Sequence, residues 1–392
     1  MNKLIAGLFG AALIANVAFA DAGAPAPSAK DLSKAVEKVN YVESDVAGVK
    51  LSGYVDVNYI YNFYAGDNAL RSGVDAQNFG NFNVSQVKVQ LEKPLTNENK
   101  LQAGFVVGAY LGQDFGGEAS SLAVANAYVN ARIPVGNGID IKAGKFVTWI
   151  GYESPERPAN LNITFGEHGF FQPTYLTGVA LEYPVNNIID LGIAVGNGSS
   201  MDSNIGSNGF LNHGDGYAAT AKIDFKVPGG NANWQHAVYY SWDAAGEQNF
   251  TDVYGLNFQK KNSLVVYDGI LNWVPKFTNG KLLLAANYDI GNWTNTDGAN
   301  KADSTFVTAA LYAKYQFTDV FSLAGRGTYV HANELGLNED LWSVTLTAGF
   351  DLVENLKLRT EYRFDFGNDR VSDGYLTHNS GHTVAVEAVY VF

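Results

Sequence analysis

Residues Asn355 to Phe366 read NLKLRTEYRFDF. In an extended chain successive side chains point to opposite sides. Leu356, Leu358, Thr360, Tyr362, Phe364 and Phe366 therefore share one face, and Lys357, Arg359, Glu361, Arg363 and Asp365 share the other. Taken alone, this strand suits two environments. A soluble sheet would pack the apolar face into a core and leave the charged face in water. A strand crossing a bilayer would turn the apolar face to hydrocarbon and the charged face to an enclosed lumen.

The pattern recurs along the chain. Leu101, Ala103, Phe105, Val107, Ala109 and Leu111 alternate with polar or small residues, as do Leu282, Leu284, Ala286, Tyr288 and Ile290, and Val384, Val386, Ala388, Tyr390 and Phe392. Each run holds about ten residues, the span needed to cross a bilayer at a tilt of about 45°. The connections alternate between short and long. Short ones such as PVGNG at Pro134, VPGG at Val227 and DLVEN at Asp351 read as hairpin turns. Long ones run from about residues 65–80 to about residues 367–380. With an opening strand at Leu51 to Tyr64 and a closing strand at His382 to Phe392, the count is about sixteen, and both ends lie on the short-turn, periplasmic side. Asp252 to Lys260 also alternates and is assigned to a long loop, since a further strand would make the count odd. The expected fold is all-β: an antiparallel up-and-down transmembrane β-barrel over residues 51–392, with short periplasmic turns and long extracellular loops. Closure removes the unpaired sheet edges that hydrocarbon does not tolerate. Aromatic residues near strand ends, among them Tyr59, Tyr61, Phe63, Trp234, Trp242, Trp273, Trp342, Tyr362 and Phe364, suit interfacial girdles.

Composition agrees. Of 392 residues 17% are charged and 13% aromatic, with 42 Gly and no Cys. Absence of Cys excludes a disulfide scaffold, a thiolate metal site and a Cys nucleophile. A net charge of −13 argues against a nucleic-acid partner. Met1 to Ala20 has one cation, Lys3, then an apolar run ending in Ala18-Phe19-Ala20, as in a cleaved secretory signal. Residues 21–50 read as a periplasmic segment with a short amphipathic helix over Lys30 to Asp45.

The last strand ends in Tyr390 and Phe392 and resembles the C-terminal signal by which the barrel assembly machinery recognises its clients. The segment GKFVTWIGYESPE, then FFQPTYLTGVALEYPV and LGIAVGNG, resembles the OmpL-like outer-membrane beta-barrel porin family. The matching residues are Gly144 to Phe146, Ile150 to Glu153, Thr177 to Val179, Tyr183 to Val185 and Val195 to Gly198. The resemblance implies a channel in the outer membrane of a Gram-negative bacterium, in contact with lipids and lipopolysaccharide, with no cofactor and, by analogy with porins, trimeric. The Pro-Glu-Phe-Gly-Gly loop motif of general porins is absent. The resemblance also makes residues 150–173 the third long loop, which folds into the lumen in sixteen-stranded porins.

A barrel this wide encloses water. Sorted by strand parity, its wall carries nearly equal numbers of cations and anions, so the acidity belongs to the long loops at the outer mouth. The pore-lining set expected from parity includes Lys88, Arg132, Lys142, Arg326, Arg359, Arg363, Asp268 and Asp289. Glu153, Glu156, Arg157, Glu167 and His168 in the third long loop, held by Phe170 and Phe171, would oppose this basic wall across a constriction, with Lys88, Arg132 and Lys142 beside Arg326, Arg359 and Arg363. The function expected is passive diffusion of small hydrophilic solutes and ions, with a weak cation preference. Loop carboxylates bridging lipopolysaccharide through divalent cations are a further possibility. A substrate-specific channel, for oligosaccharides for example, would need an aromatic track, whereas Tyr54, Tyr110, Tyr128, Phe306 and Tyr312 read as scattered. A surface adhesin or structural barrel also stays open. No catalytic set is seen: His236, His331 and His382 fall on the lipid face, and His168, His213 and His378 in separate loops.

Overall fold

The computed structural model describes residues 42–43, 48–63, 80–115, 122–197, 217–244, 262–295, 302–332, 339–367 and 380–392. The expected signal sequence, the segment 252–260, His213 and His378 lie outside them, as do most of the long-loop sequence to which the mouth acidity was assigned and most of the expected helix over Lys30 to Asp45, whose Val42 and Glu43 are instead extended. The barrel strands are β1 (Lys50–Asn62), β2 (Asn81–Lys93), β3 (Gln102–Leu111), β4 (Leu122–Ile133), β5 (Ile139–Val147), β6 (Tyr175–Pro184), β7 (Ile189–Asn197) and β8 (Tyr217–Lys226). They continue as β9 (Ala232–Ala244), β10 (Asn262–Trp273), β11 (Leu282–Asn295), β12 (Ala302–Gln316), β13 (Phe321–Ala332), β14 (Glu339–Val353), β15 (Leu356–Gly367) and β16 (Ser380–Val391). A two-residue strand, Val42–Glu43, pairs with the start of β1.

Each strand pairs antiparallel with its neighbours in sequence, and β16 returns to β1, so the sheet is a closed sixteen-stranded barrel. Along that seam Thr383 faces Asn62 and Val391 faces Tyr54. Gly53 and Phe392 exchange two backbone hydrogen bonds of 2.9 Å beyond the last paired residues. A Cβ at position 53 would run into the Phe392 ring and the Lys88 carbonyl, so the closing seam requires glycine there. β9 and β10 pair directly, with Ala244 opposite Asn262. The turn from β14 to β15 is two residues long, and Asn355 sits at φ +71°, a conformation asparagine tolerates.

Burial runs opposite to that of a soluble sheet. On β15 Lys357, Arg359, Glu361, Arg363 and Asp365 are buried, while Leu356, Leu358, Thr360, Tyr362, Phe364 and Phe366 are partly or fully exposed. Val129, Leu311, Val344 and Leu346 are at least half exposed in mid-strand. Such an outer band is stable only in hydrocarbon, which resolves the ambiguity of NLKLRTEYRFDF. Rings pair on this outer surface, Tyr59 with Phe82 at 5.0 Å and Tyr329 with Trp342 at 4.4 Å. His236 and His382 also face outward, each hydrogen-bonded to a tyrosine hydroxyl.

One connection does not stay outside. After β5 the chain turns into the lumen at Thr148 and leaves at Thr174, where Thr148 N–H donates to Thr174 O at 2.9 Å. Within the lumen Trp149, Ile150 and Phe171 join an apolar cluster with Leu176, Ala194, Tyr239 and Phe306. Leu161 and Ile163 seat in two further clusters on the wall.

Candidate functional site

Both ends of this lumen loop are clamped by the wall of β10 and β11. Gly151 N–H donates to Asp268 at 3.2 Å, and Tyr152 N–H to Asn287 at 3.2 Å. At the far end Gln172 donates to Asn287 at 2.8 Å and to Asp289 at 2.7 Å. Gly151, at φ +92°, lies against the Gln172 side chain where a Cβ would clash, so this junction needs a glycine. Phe171 stacks on Phe306 at 4.6 Å, as expected of a loop anchor; the Phe170 side chain lies outside the described set.

The middle of the loop reaches the wall on two sides. Toward β2, Glu156 meets Lys88 at 2.5 Å, and Gln86 accepts from Arg157 N–H at 3.1 Å while donating to Pro155 O at 2.9 Å. The Arg157 guanidinium is fully buried, bound to Asp114 at 2.5 and 3.1 Å and to Ile163 O at 2.8 Å. Toward β13 and β15, Arg326 holds Glu153 at 2.7 Å and Thr164 O at 2.6 Å. Arg363 pairs with Glu167 and donates to Phe165 O at 2.6 Å. The Glu361 carboxylate accepts the N–H groups of Ile163 and Thr164 at 2.5 and 3.1 Å. Arg359 donates to Asn160 O at 2.7 Å and pairs with Glu387. The charges of Glu153, Glu156, Arg157 and Glu167 in the loop each meet an opposite charge, which is the condition under which buried ion pairs are tolerated, whereas Asp268 and Asp289 stand opposite each other and are met by loop N–H groups.

Two loop groups have displaced proton affinities. Burial opposes the charge on Glu153, but Arg326 and His168 outweigh it and hold the carboxyl below the usual range. Burial lowers His168, with Glu153 opposing and Arg326 adding to the shift. His168 and the Tyr312 hydroxyl are 2.9 Å apart.

The parity-predicted set thus divides. Lys88, Arg326, Arg359, Arg363, Asp268 and Asp289 all touch the loop; Glu153, Glu156 and Glu167 pair with cations of the wall, and Arg157 pairs with Asp114 of another connection. Opposition across open water is corrected to direct contact. The expectation that Arg132 and Lys142 stand beside the arginine wall is also corrected. Lys88 faces Tyr110 on β3, whereas Arg132 faces Gln102, eight residues or about 26 Å along the strand toward the periplasm. There Arg132 grips Asp140 through two 2.7 Å bonds, and Glu182 bridges Lys142 and Lys222 at 2.7 and 2.6 Å. Of the lumen aromatics expected to be scattered, Tyr54 and Tyr110 share one buried group with Tyr175, Tyr128 and Phe306 belong to a second, and Tyr312 sits in a third, packed on Tyr152 of the loop at 4.5 Å.

Parity missed two participants. Asp114 lies in a connection with no alternation to flag it. Lys145 is out of phase with Lys142, yet its ammonium lies 4.8 Å from the centre of the Tyr175 ring, because Gly144 at φ +136° interrupts the alternation. Among the described residues no three histidine or acidic side chains converge to hold a metal ion.

Comparison with known proteins agrees with this architecture. An anion-selective porin from Comamonas acidovorans superposes with a TM-score of 0.60 at 13% identity, covering 88% of this chain and 99% of that one. OmpT of Vibrio cholerae gives 0.59 at 13% identity over 90% of this chain and 100% of its own. The outer-membrane channel DcaP of Acinetobacter baumannii gives 0.59 at 15% identity over 89% and 99%. No curated protein sequence matches the chain. The family model described as "Putative beta-barrel porin-2, OmpL-like" matches residues 48–392. The chain belongs to this OmpL-like family of outer-membrane beta-barrel porins.

Proposed function

We propose that the protein is a passive channel for small hydrophilic solutes and ions, narrowed by its own lumen loop. One observation carries the reading: the polar contacts of the loop run along the wall from β9 round to β2, while Lys142 on β5 and Glu182 on β6 stay partly accessible. Side chains at the loop contacts are nearly sealed, 0% and 6% exposed for Arg326 and Glu153, against 27% and 21% for Lys142 and Glu182. The accessible sector carries Asp140, Lys142 and Glu182, with Arg132 and Lys222 buried beside them as their ion-pair partners, a mixed-sign wall suited to hydrated solutes of either charge. The net charge of −13 supports a weak cation preference at the acidic outer mouth.

Export through the N-terminal signal, and recognition of Tyr390 and Phe392 by the assembly machinery, belong to the same proposal, as does contact with lipopolysaccharide. A trimer form is recorded for OmpT of Vibrio cholerae and supports a homotrimer here. An oligosaccharide-specific channel is less well supported, because Phe306 and Tyr312 are engaged by the loop. The test is planar-bilayer conductance of detergent-refolded protein under a KCl gradient. Stepwise conductance with a reversal potential of mild cation preference is expected; a non-conducting barrel or strong anion preference overturns the reading.

A further inference from the structure

Asp268 on β10 and Asp289 on β11 lie directly opposite each other in strand register. Both side chains are wholly buried, at 0% exposure, where the lumen loop meets the wall. Between them they hold both ends of the loop. Oδ2 of Asp268 accepts the Gly151 N–H at 3.2 Å and the Asn287 side-chain amide at 2.6 Å. Oδ2 of Asp289 accepts the Gln172 side-chain amide at 2.7 Å and the Thr308 hydroxyl at 2.6 Å.

The other oxygen of each, Oδ1, receives no donor, and among the described residues neither carboxyl group has an ion pair. Their neighbours in the strand row are Ala237 on β9 and Thr308 on β12, which carry no charge. From the loop, Tyr152 approaches through its backbone N–H, on Asn287. His168 acts on Asp289 by charge, in a group with Glu153 and Arg326, which pair with each other. Two carboxylates side by side in a dry site, with no cation on either, do not both keep their charge. Asp289 meets Asp268 both as a like charge and through a side-chain hydrogen bond. A hydrogen bond between two carboxyl groups requires a proton on one of them.

We propose that Asp268 and Asp289 share a single proton between their Oδ1 atoms, and that this proton fastens the two ends of the lumen loop to the wall. The inference rests on the reading of that loop as the constriction of a channel. On undocking, water would reach two separate carboxylates and the proton would leave, so the docked state binds more protons than the undocked one. Docking therefore weakens as the pH rises.

The test combines single-channel recording of the detergent-refolded full chain, from neutral to alkaline pH, with infrared spectra of the same preparation. Current noise from loop undocking should rise severalfold as the pH is raised, and His168→Gln should keep that response. Asp289→Asn puts an amide N–H where the proton was, so its currents should be quiet at neutral pH and stay quiet in alkali. Asp268→Asn is the equivalent change on the other strand and serves if the first variant fails to fold. The carbonyl stretch of protonated carboxyl groups, recorded at neutral pH, should lose one group's intensity in either variant. A conducting full chain whose record is flat in alkali, an unchanged alkaline response in folded Asp289→Asn, or identical infrared spectra overturns the shared proton. So does noise that follows chelation of divalent cations at constant pH, which would put a metal ion between the oxygens. The infrared loss in a preparation that fails to conduct upholds the shared proton and overturns the channel reading instead.

Discussion

Arg326 on β13 and Glu153 in the lumen loop meet at 2.7 Å although 173 positions separate them. Their side chains are almost excluded from water. Removing one partner leaves the other buried and uncompensated, which costs about 3–5 kcal/mol. Most of that loss should appear as undocking of the loop, since the strand ladders do not depend on the pair. We expect Glu153→Gln and Arg326→Gln to give noisier single-channel currents and faster cleavage of the loop by added protease. Quiet currents and unchanged cleavage in both would show that the pair does not hold the loop.

Shortening the loop tests its role as the constriction. Replacing residues 153–168 with a short Gly/Ser link keeps the clamps at Gly151 and Gln172 and removes the segment filling the lumen. Single-channel conductance should rise severalfold. A conductance equal to that of the full chain would place the narrowest point elsewhere.

The docked loop should also respond to acid. His168 is buried against Tyr312, with Glu153, Arg326 and Asp289 as its charged neighbours, and its affinity for protons is lowered. Released into water it regains an ordinary value of about 6.5. The undocked loop therefore binds more protons, so docking is strongest above about pH 6.5 and weakens as pH falls below it. Glu153 stays charged through this window because Arg326 and His168 outweigh the effect of its burial. Between pH 6.5 and about 5, channel noise should increase, and His168→Gln should flatten that response. An identical acid response in the variant would assign it to another group.

The outer surface gives the opposite of soluble-protein behaviour. Leu346 is 50% exposed. In a soluble sheet a charge at such a position changes stability by within about 0.5 kcal/mol. Facing hydrocarbon near mid-strand, Leu346→Arg should cost about 2–4 kcal/mol in urea unfolding from lipid vesicles. A change below about 1 kcal/mol would mean that this face does not meet the lipid interior.

Much of the barrel is legible in the sequence, residue by residue. Lys357, Arg359, Glu361, Arg363 and Asp365 were placed on the lumen face by parity alone and are buried there. The strand count follows from the turns. Candidate-site residues were legible as a set but not as a geometry. Lys88 and Arg132 share a parity, yet stand about 26 Å apart along β3, because parity gives the side of the sheet and says nothing of depth. Asp114 carried no signal, since its partner Arg157 lies in another irregular connection.

The order of residues by itself determined that this chain is a lipid-facing closed barrel with a charged interior. Strand alternation and turn length are local properties, written in consecutive residues, and an apolar stripe on every strand admits few ways of closing. Only the tertiary structure decided that the interior is occupied and which charges meet there. An irregular loop has no period to read, and its path depends on a desolvated network in which each ion pair is acceptable only when the others are in place.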